Sequence, residues 1–66
     1  MTESFEALHS GRRFVIERDP SVGWYLYIYS GDTCTNDYLQ DTFDIAAEQA
    51  LEEFGVPLAA WAIESS

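Results

Sequence analysis

The sequence predicts an α+β domain with a three-stranded antiparallel sheet, one main helix packed on one face, and a short C-terminal helix. Residues 23–29 carry the strongest strand signal, because large apolar and tyrosine side chains alternate there as in a half-buried strand. Turn-forming residues bound this stretch at 19–23 and 30–33, which favours two consecutive hairpins. An Ala-rich segment with helical spacing follows, and Gly55 closes it.

Composition narrows the class of protein. A chain of 66 residues makes one small domain, predicted to span residues 1–66. Twelve acidic against three basic residues give a net charge of −9, which disfavours nucleic acid and anionic membranes as partners. A hydrophobic content of 47% argues against a disordered acidic tail.

Cys34 is the single cysteine, which suits a reducing cytoplasm. Residues 1–4 lack signal-peptide features, and no apolar run reaches the roughly 20 residues of a membrane span.

The N-terminal part of the chain, residues 1–11, is predicted to be loosely ordered. Phe5, Ala7 and Leu8 lie there among polar residues, a pattern that favours a frayed end over a short helical turn. Gly11 marks the boundary with the ordered domain.

The first predicted strand covers residues 12–18 and pairs with the stretch 23–29. Pairing Arg18 with Trp24 gathers the large aliphatic side chains on one face, and a slip by one residue would destroy this segregation. The face predicted to meet the helix carries Phe14, Ile16, Trp24, Leu26 and Ile28.

The third predicted strand, residues 34–39, is more polar and is expected at the edge of the sheet. Its simplest register pairs Tyr38 with Tyr25 and places Asp37 on the core face. A buried carboxylate needs hydrogen-bond donors. Either Asp37 finds backbone donors near the helix start, or a β-bulge shifts the strand, and both alternatives stay open.

The main helix is predicted from its caps and its apolar stripe. Asp41 or Thr42 caps its start, Gly55 supplies the C-cap, and Pro57 prevents continuation. Residues 58–63 are predicted to form a short second helix that covers a sheet edge or the helix end. The stripe that faces the sheet consists of Phe43, Ala47, Ala50 and Phe54, flanked by Ala46 and Leu51.

Two sequence patterns resemble a family of small uncharacterised bacterial proteins. They are GWYLY at 23–27, and DYLQDT at 37–42 leading into an Ala- and Glu-rich helix that closes with FGVP at 54–57. The likeness covers about residues 14–61 and implies the fold and a bacterial source, but no activity. The order of strands and helix is also similar to the amino-terminal domain of HicB-type antitoxins, although the Pro-Gly-Cys turn of that family is missing here.

The second face of the predicted sheet is rich in tyrosine. Tyr25, Tyr27 and Tyr29 point to it, and Tyr38 joins them in the simplest register. Arg13 lies opposite Tyr29 and can stack on its ring. Tyrosine is suited to interfaces, so this face can bind a second copy or another partner. Alternatively, the rings stabilise neighbouring strands, with the terminal segment lying over them.

The predicted helix also carries an acidic ridge, formed by Asp44, Glu48 and Glu52 at intervals of four residues. Like charges at this spacing destabilise a helix by roughly 0.2–0.5 kcal/mol per pair. The ridge is a candidate docking surface for a basic partner, or else a solvated face that keeps the protein soluble.

Catalytic chemistry has little support in the sequence. His9 is the single histidine and Cys34 the single cysteine, and neither lies in a recognisable motif with a partner residue. Asp37 is the one candidate for a buried acid. We therefore expect no enzyme activity, no catalytic residues, no metal and no cofactor.

The sequence thus leads to two hypotheses about function. The first is a small acidic protein–protein interaction module that binds a basic protein or forms a homodimer through the tyrosine face. The second is a stand-alone antitoxin-like or inhibitor protein whose acidic ridge neutralises a basic partner by electrostatic steering.

Overall fold

The computed structural model describes residues 3–63, which form a five-stranded antiparallel sheet with one helix packed on it and a 3-10 turn. The elements are β1 (Ser4–His9), β2 (Arg12–Asp19), β3 (Gly23–Ser30), β4 (Thr33–Gln40), α1 (Phe43–Phe54), the 3-10 turn Leu58–Ala60 and β5 (Ala62–Ile63). Their order in the sheet is β4-β3-β2-β1-β5. The predicted α+β class is confirmed, whereas the predicted three-stranded sheet is wrong because β1 and β5 extend it.

The central hairpin of β2 and β3 has the predicted register. Ile16 pairs with Leu26 and Phe14 pairs with Ile28, and all four side chains are at most 1% exposed. Gly23 begins β3 with a φ of 135°, and a Cβ atom there would lie 2.5 Å from the carbonyl oxygen of Gln40. A side chain at this position would therefore clash with the backbone of β4.

The N-terminal segment is a strand, which corrects the prediction of a loose end within the described residues. β1 pairs with β2 along its full length, through a tight turn in which Ser10 has a φ of 52° and Gly11 a φ of 76°. Two successive positive φ values are the geometry of a hairpin turn that matches strand twist. Ala7 is buried in the core, and the Phe5 ring lies 4.6 Å from the Phe43 ring. Apolar burial at alternate positions thus orders the segment.

The third predicted strand, now β4, contains a β-bulge. Asn36 pairs with Ile28 and Cys34 pairs with Tyr29, which leaves Thr35 as the extra residue. The Thr35 hydroxyl donates a hydrogen bond of 3.2 Å to the Ile28 carbonyl. Of the two alternatives left open by the sequence, the bulge is the correct one, and it turns Asp37 away from the core.

Helix α1 begins and ends as its sequence predicts. The Thr42 hydroxyl accepts a hydrogen bond from the Ile45 amide, and Gly55 caps the end in the left-handed conformation with a φ of 77°. The predicted stripe packs on the sheet, with Ala46 fully buried beside it and Leu51 40% exposed. Small alanines at the contact let the helix approach the sheet closely.

The short C-terminal helix predicted over residues 58–63 is confirmed only as a single 3-10 turn, and its continuation is wrong. The chain forms the 3-10 turn Leu58–Ala60, becomes extended at Trp61, and then adds the two-residue strand β5 to the edge of β1. A helix of so few residues is marginal in water, whereas the edge of β1 offers backbone hydrogen-bond partners. The expectation that this segment covers a sheet edge is confirmed by the pairing of Ala62 with Glu6.

Candidate interaction surface

The sheet has one covered face and one open face. Helix α1 packs against β2, β3 and β4 on the side of Phe14 and Leu26, and none of the described elements lies over the other side. Cross-strand pairing arranges the side chains of this open face in three rows. The middle row consists of Ala62, Glu6, Val15, Tyr27 and Asp37; one outer row consists of Ser4, Glu17, Tyr25 and Leu39; the other consists of Leu8, Arg13, Tyr29 and Cys34.

Three tyrosines form a continuous column along β3 at the centre of the open face. The rings of Tyr25 and Tyr27 are stacked, with centroids 5.6 Å apart, and the rings of Tyr27 and Tyr29 are 6.4 Å apart. All three side chains are half-buried, and Val15 beside Tyr27 is 6% exposed. The column therefore presents rigid aromatic surface with polar hydroxyl groups.

Charged side chains surround this tyrosine column. Arg13 forms an ion pair of 3.0 Å with Glu6, and its guanidinium carbon lies 4.6 Å from the centroid of the Tyr29 ring. On either side of β3, Glu17 pairs with Tyr25 and Asp37 pairs with Tyr27. Partial burial raises the pKa of the Tyr27 phenol above its usual value, and Glu17, the neighbouring phenols and Asp37 raise it further.

Tyr38 does not belong to the open face, which corrects its inclusion among the predicted interface tyrosines. The bulge in β4 pairs Tyr38 with Leu26 and Asp37 with Tyr27. Tyr38 consequently packs at the periphery of the core, on the side that α1 covers. Leu39 takes the predicted place of Tyr38 opposite Tyr25, and Asp37 opposite Tyr27 adds a negative charge to the open face.

The acidic ridge lies on the opposite side of the molecule. Asp44, Glu48 and Glu52 are all exposed on α1. A shallow groove of about 210 Å³ runs between the helix and the 3-10 turn, and its lining residues are Phe43, Asp44, Ala47, Glu48 and Leu58. The two candidate surfaces therefore point away from each other, and the structure does not combine them into one site.

The two residues with catalytic or metal-binding chemistry, His9 and Cys34, are far apart. His9 is in β1 and Cys34 in β4, three strands away in the sheet, which corresponds to about 14 Å at ordinary strand spacing. The exposed Cys34 thiol donates a hydrogen bond of 3.4 Å to the Asn36 carbonyl. Within residues 3–63, no group of three or more His, Cys, Asp or Glu side chains could hold a metal ion.

Sequence reasoning missed the part of the open face that β1 and β5 contribute. Glu6 and Leu8 extend the face, and Glu6 supplies the carboxylate that binds Arg13. A signal was present, because Phe5 and Ala7 alternate with polar residues before a Ser-Gly pair that is typical of a tight turn.

Comparisons with known proteins assign no family to this fold and surface. No family model matches the chain, and neither the curated proteins nor the solved structures include a significant match. No helix within residues 3–63 is long and apolar enough to cross a membrane.

Proposed function

We propose that this protein is a small interaction module without catalytic activity, and that it binds other protein surface through the open face. The observation that carries the proposal is the column of Tyr25, Tyr27 and Tyr29 on a sheet face that no described element covers. Tyrosine buries a large area at a low cost in side-chain freedom and keeps a polar tip, and it is enriched at the centres of interfaces.

Neighbouring residues make this face suitable for binding. Val15 is already desolvated beside the tyrosines, while Leu39 and Leu8 at its margins are 49% and 71% exposed. A sheet face with exposed leucines and aromatic rings gains burial when a partner covers it. Such burial matters in a chain this short, since a domain of about 60 residues buries only roughly 60% of its unfolded surface.

Blocking the open face tests the proposal without disturbing the core. Cys34 is the single cysteine, it is exposed, and it lies in an outer row of this face. Attachment of a bulky maleimide polymer to Cys34 should abolish binding, read as self-association and as capture of proteins from host lysate. The matched control is the double variant Cys34→Ser and Glu48→Cys, labelled at position 48 on the opposite side, which should bind normally.

A second candidate function uses the acidic ridge, and the groove beside it is the observation that favours it. Phe43, Ala47 and Leu58 form an apolar floor, with Asp44 and Glu48 next to it. Such a groove suits a basic partner that inserts one apolar side chain, as an antitoxin-like or inhibitor protein would require. The same labelled proteins separate the two candidates: loss of binding only with the label at position 48 would transfer the function to the ridge.

A further inference from the structure

We infer that the occupant of the open face is a second copy of this chain, in a face-to-face dimer whose twofold axis runs across the strands through Val15 and Tyr27. The inference rests on the proposed function and specifies its partner. It follows from the way charges and rings are placed in the three rows of this face.

Charge complementarity selects the axis. Arg13 and Glu17 lie in the two outer rows of β2, on either side of Val15 in the middle row. A twofold axis along the middle row exchanges the outer rows between copies. Arg13 of each copy then lies opposite Glu17 of the other, so the dimer gains two opposite-charge contacts from one pair of residues.

The tyrosine column is complementary under the same operation. Tyr25 of one copy meets Tyr29 of the other, while Tyr27 and Val15 meet their own mates on the axis. Paired rings and a central valine form the apolar centre that stable interfaces have. The strands of the two sheets run nearly aligned, which is a standard packing of one sheet on another.

An axis parallel to the strands gives a poorer arrangement. Placed between β2 and β3, it would set Glu6 opposite Asp37 and would leave Glu17 opposite Tyr25. That geometry creates two contacts between like charges and no contact between opposite charges. The axis across the strands also has two contacts between like charges, because Glu6 and Asp37 in the middle row each meet their own mate. It is favoured because it alone adds the two opposite-charge contacts between Arg13 and Glu17.

The area of the open face limits the affinity expected for the dimer. β2, β3 and β4 have 8 residues each, β1 has 6 and β5 has 2. At about 3.3 Å per residue and about 4.8 Å between strands they cover about 500 Å² in projection, and the corrugated surface exceeds this. A standard interface takes about 800 Å² from each partner, so the dimer needs the whole face. The net charge of −9 also opposes association. We therefore expect a dissociation constant on the order of micromolar or weaker, which tightens as salt screens the repulsion.

Two charge-reversal variants test the axis directly. Arg13→Glu gives a face that is negative at both positions, and Glu17→Arg gives a face that is positive at both. Each variant alone should dimerise at least about tenfold more weakly than wild type in sedimentation at high protein concentration, because like charges then meet. An equimolar mixture should form a heterodimer, because each copy then offers the charge that the other lacks.

Mixing also controls for damage within one chain. Arg13→Glu removes the ion pair with Glu6 and the stacking on Tyr29, but a local defect of that kind would not be repaired by the other variant. Circular dichroism of each variant verifies the fold. A mixture that stays monomeric, variants that dimerise as wild type does, or a wild type that is monomeric at every salt concentration would each overturn the inference.

The labelling experiment keeps this inference distinct from the proposed function. If wild type is monomeric but a label at Cys34 still abolishes capture of another protein, the homodimer is wrong and the interaction module stands. If the label changes neither self-association nor capture, the proposed function is wrong and the dimer is wrong with it.

Discussion

Tyr27 lies in the middle row of the open face, between Tyr25 and Tyr29 on β3. Its ring is stacked on that of Tyr25 and tilted against that of Tyr29. The carboxylates of Glu17 on β2 and Asp37 on β4 lie close enough to act on its phenol. Partial burial and these negative charges raise the pKa of its phenol, so the folded protein disfavours the phenolate. The position is therefore well suited to a neutral ring at a contact and poorly suited to an ionised one.

This environment predicts a dependence of stability on alkaline pH. The pKa of Tyr27 is higher in the folded than in the unfolded chain, where a phenol titrates near about pH 10. The unfolded chain then loses the proton first, so the free energy of unfolding is maintained below about pH 10 and falls as pH rises through the folded pKa. Urea unfolding at a series of pH values should show a smaller fall for Tyr27→Phe than for wild type.

A second variant checks the cause. Asp37→Asn keeps the tyrosine but removes one of the charges that raise its pKa. The fall in the free energy of unfolding at alkaline pH should therefore be smaller than in wild type and larger than in Tyr27→Phe. Equal alkaline slopes in all three proteins would show that Tyr27 is not responsible.

At the scale of elements, α1 combines good caps with unfavourable charge. Thr42 and Gly55 satisfy backbone groups at its two ends. The Gln49 side chain accepts a hydrogen bond of 2.7 Å from Gln40 of β4, which ties the helix to the sheet. Glu48 and Glu52, by contrast, lie one turn apart with the same charge and no basic residue in the last turn.

Removing these charges should not weaken the protein. In the variant Glu48→Gln and Glu52→Gln, loss of like-charge repulsion should raise the free energy of unfolding by about 0.2–0.5 kcal/mol per pair removed. Thermal unfolding measures this, and Gln49→Ala is the destabilising control because it breaks the link to β4. A large loss of stability in the charge variant would mean that the acidic ridge stabilises the fold. The proposal that it binds a basic partner would then lose its support.

β1 and β5 form the side of the sheet that the sequence did not predict. β1 brings Phe5 into contact with Phe43 and Trp24, with ring centroids 4.6 Å and 6.3 Å apart. β5 then covers part of the β1 edge. These two strands add aromatic burial and shorten the exposed edge, which also limits pairing between edges of different molecules.

At the scale of the whole molecule, net charge opposes folding as well as association. The extents of the molecule are 30 × 23 × 21 Å, so at low salt most of its charges lie within a Debye length of about 30 Å. Raising sodium chloride from about 0.01 M to about 1 M shortens that length to about 3 Å. The repulsion between carboxylates on different elements is then screened.

The melting temperature should therefore rise with salt. Each kcal/mol gained appears as about 4–8 °C in a domain of this size. Measurement at low protein concentration isolates the effect on the monomer, since a contribution from dimers would grow with concentration. In a variant with Glu48, Glu52 and Glu53 all changed to Gln, salt should raise the melting temperature less than in wild type. An equal increase in both proteins would refute electrostatic repulsion as the cause.

The sequence by itself determined the central hairpin, the helix and the identity of the tyrosine face. The register of β2 and β3 follows from Ile16 and Leu26, because one arrangement alone segregates apolar from tyrosine side chains. The limits of α1 follow from local chemistry at Thr42 and Gly55, which acts within one turn of the chain. These features depend on neighbouring residues or on a single pattern, so they can be read without a structure.

The tertiary structure alone decided the edges of the sheet and the charges on the open face. The bulge at Thr35 sends Asp37 outward and Tyr38 inward, since a carboxylate on the core face would lack donors. Phe5 orders β1 because Phe43 and Trp24 are already in place, and β5 forms because β1 offers a free edge. Each of these outcomes depends on partners distant in sequence, whose positions exist only after the core has assembled.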